Sequence, residues 1–186
     1  SIFYEKTKDG KMKKIIIYIK TNDQPGLISA ISKCITNCKG NIETSKMINL
    51  ESNFNMIILV SINDKYYDNL DNELKILSKK YEEIYYRLDV VKQDIIKNDD
   101  LYFFQMKGAD TEGLVYIFTD YLSSKKINIE SLETEIINAP ITGHPLFLLK
   151  SLINIPDNTS IETLKVHLEE LAEKNNVVIK LNKYNK

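Results

Sequence analysis

Apolar residues along this chain fall into two alternating spacings. Lys13 to Lys20 is almost wholly apolar at its centre, Ile15-Ile16-Ile17-Tyr18-Ile19. A short, β-branched run of this kind predicts a strand covered on one side and partly on the other. Leu27, Ile28, Ile31, Cys34, Ile35 and Cys38 then recur at helical steps. Pro25 and Gly26 should open that helix, with Pro at its first position. Gly40 should close it as a left-handed cap. Asn41 to Leu50 reads as a second strand with weak alternation and Phe54 to Ile62 as a third with Met56-Ile57-Ile58-Leu59-Val60 at its centre, with Glu51-Ser52-Asn53 between them as a turn. Tyr66, Leu70, Leu74, Leu77 and Tyr81 form one helical stripe behind a capping Asn63-Asp64. Ile84 to Val91 completes a fourth strand. The order β-α-β-β-α-β predicts an α+β, ferredoxin-like module, with an antiparallel sheet and both helices on one face.

The order then returns. Leu101 to Met106 reads as a strand, and Leu114, Val115, Phe118, Tyr121 and Leu122 as a helical stripe. Asn128 to Asn138 and Leu146 to Ile155 read as strands around a longer loop holding Pro140, Gly143, His144 and Pro145. Ile161, Leu164, Leu168 and Leu171 stripe a last helix capped by Ser160, and Val177 to Leu181 closes the module. Asp23 and Asp110, Gly26 and Gly113, Asn41 and Asn128 all lie the same 87 residues apart. A fixed offset across many positions marks an internal duplication. The expected domains are 13–91 and 101–182, joined by the polar linker 92–100. Ser1 to Met12 reads as a polar arm without a leader pattern, and Met12-Lys13-Lys14 is a candidate native start.

The best place for chemistry is the strand-to-helix turn. A helix start presents free N–H groups and the positive end of a dipole, which receive a carboxylate or phosphate. Gly26 and Gly113 let a ligand approach the backbone. Asp23 could take an ammonium group, so a free amino acid would match both ends. The alternative is that Asp23 and Asp110 cap helices and the glycines serve packing.

Charge narrows the partners. The 186 residues hold 25 Lys+Arg and 26 Asp+Glu, a net charge of −1, and Arg87 is the only arginine. No basic patch of the kind nucleic acid requires is visible. No apolar run approaches the ~20 residues of a membrane span. A reducing cytoplasm fits Cys34 and Cys38, which read as small buried hydrophobes on one helix face. His144 and His167, the two histidines, read as exposed. No nucleophile elbow, phosphate loop or zinc helix is present. Asp99-Asp100 and Glu82-Glu83 are adjacent pairs whose side chains would diverge. No metal, cofactor or catalytic residue is therefore expected.

The residues Asp23-Gln24-Pro25-Gly26-Leu27, a helix, then Lys39-Gly40-Asn41-Ile42 resemble an ACT domain. Two such modules in tandem, with Cys38 to Met47 before Phe54 and the longer hairpin at Pro140, resemble the bacterial glycine cleavage system transcriptional repressor family. The resemblance covers Lys13 to Leu181. It implies a non-catalytic regulator that binds a small, glycine-like amino acid and acts on transcription through a protein partner, a transcription factor, without touching DNA. By that resemblance the ligand meets Asp23, Gln24, Pro25, Gly26 and Leu27, with Asn41 and Ile42 supplied by a facing copy. A weaker second site would use Asp110, Thr111, Gly113, Leu114, Asn128 and Ile129. There Glu112 stands in place of proline and Ile127 in place of glycine. Glu112 would satisfy the helix start itself and repel a carboxylate. Two other readings remain: the regulatory region of an amino-acid or one-carbon enzyme resembling formyltetrahydrofolate deformylase, and a ligand-free adaptor. Exposed sheet edges would allow pairing within the chain or in a homodimer.

Overall fold

The computed structural model describes residues 10–81, 83–92, 100–139 and 143–184. Residues 1–9 of the expected arm, 93–99 of the expected linker, Glu82 and Pro140 lie outside the described residues. The chain divides into two compact units, Ser1–Ile95 and Ile96–Lys186.

The first unit runs β1 (Met12–Asn22), α1 (Leu27–Asn37), β2 (Asn41–Leu50), β3 (Asn53–Asn63), α2 (Tyr67–Lys80) and β4 (Tyr85–Val90). Its sheet order is β2-β3-β1-β4, and its strand pairs are antiparallel. The second unit repeats this with β5 (Asp100–Ala109), α3 (Leu114–Ser124), β6 (Asn128–Asn138), β7 (Pro145–Ile155), α4 (Ile161–Lys174) and β8 (Val177–Lys183). Its order is β6-β7-β5-β8, again antiparallel. Both are the expected α+β, ferredoxin-like plan.

Each core follows the periodicities. Ile15, Ile17 and Ile19 alternate inward from β1, as do Met56, Ile58, Val60 and Ile62 from β3. They pack with Leu27, Ile31 and Ile35 of α1 and Leu70, Leu74 and Leu77 of α2. In the second unit Phe104, Met106, Phe118, Leu122, Leu164 and Leu168 do the same. Each such side chain, fully buried, contributes about 1.5–3 kcal/mol of transfer free energy. Ile28 and Val115, equivalent residues of the two stripes, stay partly exposed on the helix flanks. The expected caps form. The Asn63 side chain accepts from the Lys65 amide in a short 3-10 turn ahead of α2, and Ser160 accepts from the Thr163 amide at 3.3 Å.

Two local expectations fail. Pro25 is not the first residue of α1; the helix begins at Leu27, and Pro25 belongs to a preceding turn. Nor does Gly40 supply the left-handed end. Lys39 takes that conformation, with φ 54°, and its counterpart Lys126 takes it with φ 59°. Gly40 serves close packing instead: a Cβ there would sit 2.8 Å from Ile35 Cγ2 and 3.0 Å from Val60 Cγ1. Strand β1 also outruns its apolar centre at both ends, because pairing with β3 continues through polar Thr21 and Asn22.

Both second strands carry an irregularity at the same place. The register of β2 against β3 shifts between Ile42 and Thr44, and that of β6 against β7 between Ile129 and Ser131. The extra residues are Glu43 and Glu130, which end the repeated Asn-Ile-Glu.

Candidate functional site

Between β1 and α1 the chain reverses in a type II turn. The Leu27 amide donates to the Gln24 carbonyl at 3.3 Å. Pro25 holds the second position, where its ring presets φ, and Gly26 holds the third, with φ 85° and ψ −7°. A side chain with a Cβ is strained at that φ, which explains the glycine. Nothing lies within 4 Å of where a Cβ would stand, so the space beside Gly26 is open.

The helix end is correspondingly bare. No side chain caps α1, and its first turn holds no acidic residue. The Ala30 amide donates to the Gly26 carbonyl at 2.9 Å, and Leu27 is engaged in the turn. Among the described residues no acceptor meets the Ile28 and Ser29 amides, which leaves them as the free donors of the first turn. Asp23 does not cap the helix. Its Oδ2 accepts from Asn49 Nδ2 at 2.9 Å, and its amide donates to the Ser52 carbonyl at 3.4 Å. The carboxylate is thus tied to the end of the β2–β3 hairpin, at the residue from which the turn into α1 departs. A positive helix end and a carboxylate held on the strand that leads into it are the two charges a zwitterion needs.

Asn49 was not among the residues expected at this site. The signal lay in the duplication: 87 residues on stands Ile136, so the two copies differ at this very position.

The expected residues do not all meet. Asp23, Gln24, Pro25, Gly26 and Leu27 form the turn, with Leu27 buried beneath it. Asn41 and Ile42 start β2 at the opposite end of the sheet, where Asn41 pairs with Ser61 while Leu50 pairs with Asn53. At ~3.3 Å per residue that is about 26 Å from Asn49. Within one unit they are remote from the turn.

The second turn repeats the backbone. Gly113 has φ 85° and ψ −1°, and α3 likewise lacks a side-chain cap. Glu112 therefore does not cap α3; it precedes the bend and is exposed. Asp110 is exposed, Thr111 Oγ1 donates to the Ala109 carbonyl at 3.4 Å, and Leu114 is buried. Asn128 and Ile129 lie at the far end of β6, and Asn128 Nδ2 donates to Glu130 Oε1 at 2.8 Å.

Burial, reinforced by Glu73, pushes the Cys34 and Cys38 thiols up, away from the reactive thiolate. Burial and a hydrogen bond to Asp71 push Tyr86 up to about 12. His144 and His167 are exposed. Among the described residues no three His, Cys, Asp or Glu side chains are grouped to hold a metal ion. No helix there is long and apolar enough to cross a membrane.

Residues 13–84 match the family model of the ACT domain. No curated protein sequence matches the chain. Among solved structures, an unknown protein from Galdieria sulphuraria is similar at 26% identity and a TM-score of 0.81, over 94% of this chain and 100% of that one. A candidate glycine cleavage system transcriptional repressor is similar at 16% identity and a TM-score of 0.68, over 94% of this chain and 99% of the other. Both likenesses extend over the two units, and the fold is a tandem, ACT-like one.

Proposed function

With an ACT domain in its first unit and the same fold repeated in its second, we propose that the chain is a non-catalytic regulator that senses a small amino acid. The ligand carboxylate takes the Ile28 and Ser29 amides at the open start of α1. Its ammonium group takes Asp23. A facing copy brings Asn41 and Ile42, which one unit holds too far away. Effect on transcription passes through a protein partner, in keeping with a net charge of −1 and a single arginine. The observation that carries the reading is the uncapped start of α1 beside a carboxylate held by Asn49. The repressor-like fold neighbour supports the regulatory part.

Thermal melting against a panel of amino acids, glycine and serine first, tests it. Ligand at ~100 times Kd adds about 2.7 kcal/mol. That raises Tm by several degrees, at about 2–4 °C per kcal/mol for a chain of this size. The shift should vanish in Asp23→Ala and persist in Asp110→Ala. No shift with any amino acid, or one indifferent to Asp23→Ala, refutes the assignment.

A further inference from the structure

The face of the first sheet turned away from α1 and α2 carries a shallow hollow of about 370 Å³. Two rungs of cross-strand neighbours line it. Ile57, Tyr18 and Arg87 form one, from β3, β1 and β4; Asn55, Lys20 and Tyr85 form the other. All six alternate with core residues, so they stand on the open face. Arg87 Cζ lies 4.5 Å from the centre of the Tyr18 ring, and its Nη2 pairs with Asp89 Oδ2 at 2.6 Å. Lys20 has no ion-pair partner among the described residues. Tyr85 is 68% and Ile57 50% exposed, an apolar pair kept in water.

The second unit supplies an internal control. A hollow of about 500 Å³ occurs at the equivalent place. Gln105 stands there for Tyr18, Val178 for Tyr85 and Lys180 for Arg87, while Lys107 matches Lys20. The concavity therefore belongs to the twisted sheet. The two aromatic rings and the guanidinium belong to the first unit alone.

We propose that the hollow of the first unit binds a small planar carboxylate, an aromatic or heteroaromatic acid. Its volume falls at the lower end of small-molecule sites, from ~300 Å³. Tyr18 and Tyr85 offer ring faces and edges for an offset stack. The guanidinium stands over the Tyr18 ring, and Asp89 engages one of its nitrogens, leaving other donors for an incoming carboxylate. Lys20 adds a second cation beside Tyr85. The site is separate from the turn at Gly26 and does not depend on amino-acid sensing there.

Indole-3-acetate is the probe. The chain has no tryptophan, so indole emission excited beyond tyrosine absorption reports the ligand alone. Saturable binding is expected, with Kd raised at least tenfold in Tyr85→Ala and in Arg87→Gln and unchanged in Lys180→Gln. Indole-3-acetamide, which lacks the charge, should bind at least tenfold more weakly. Tyr85 and Arg87 are largely exposed, so both variants should keep the parent Tm. Absence of saturation, or equal affinity in wild type and both first-unit variants, overturns the site. So does equal binding of the acetamide.

Discussion

At Gly26 and Gly113 the backbone takes the same left-handed bend, with φ 85° in both units. Around the two bends the side chains part. The first has Pro25 before the glycine and Asn49 reaching across to Asp23. The second has Glu112 in the proline's place and exposed Ile136 where Asn49 would stand. The Ile136 side chain has no donor, so among the described residues nothing equivalent holds Asp110. The fold thus demands the bend, while polar fixation beside it is a separate acquisition. The same holds one helix later. Gly40 admits Ile35 and Val60 against the backbone, whereas the second unit puts a buried Ile127 at that position. Two packings solve one junction.

Substitutions can break this comparison in order of size. Ile127→Ala empties a position that is 4% exposed. It should cost the second unit about 2–5 kcal/mol, read as an earlier urea transition. Gly40→Ala should overpack the first unit and cost about 1–3 kcal/mol, since two side chains and the Ile35 carbonyl must give way. Equal tolerance at the two positions would mean the junctions are not packed differently. Gly26→Ala and Gly113→Ala should each cost about 1–2 kcal/mol, from the left-handed φ alone. Equal losses in the two denaturation curves would show that the bends are structural twins; ligand response should be altered only by the first. The smallest effect concerns Glu112. Glu112→Gln removes a negative charge beside the start of α3 and should strengthen carboxylate binding at the second turn by about 0.3–1 kcal/mol. Adding Ile136→Asn should increase that gain, measured by calorimetry with the amino acid that shifts the wild type. No gain in either variant would sink the electrostatic reading of the difference.

Much of the architecture was legible because it rests on local spacing. Leu70, Leu74 and Leu77 step along one helix face, and all three are buried. The duplication exposed the second unit through its 87-residue offset. The misreadings arose where a residue's role depends on something distant. Gly40 looked like a helix cap because glycine commonly is one; only the approach of Val60, from another strand, reveals its packing role. Pro25 looked like a first helical residue, but the bend at Gly26 places it two residues ahead of the helix, which begins at Leu27. Asn49 is separated from Asp23 by a helix and a strand, so no window of sequence joins them. Tyr18, Tyr85 and Arg87 meet through strand register, which pairing sets and periodicity does not.

The bulges at Glu43 and Glu130 bear on solubility. Strand β2 lies at the edge of its sheet, every one of its residues is exposed, and it carries Ile42, Met47, Ile48 and Leu50. A long, flat, apolar edge of that kind is a template for uncontrolled growth of one chain on another. The bulge interrupts the ladder at one end and coils the strand there more strongly. A stranger's backbone laid along the edge finds regular spacing only from Thr44 onward. The repeated Asn-Ile-Glu thereby sets the same break in regular spacing near the start of the edge strand in both units.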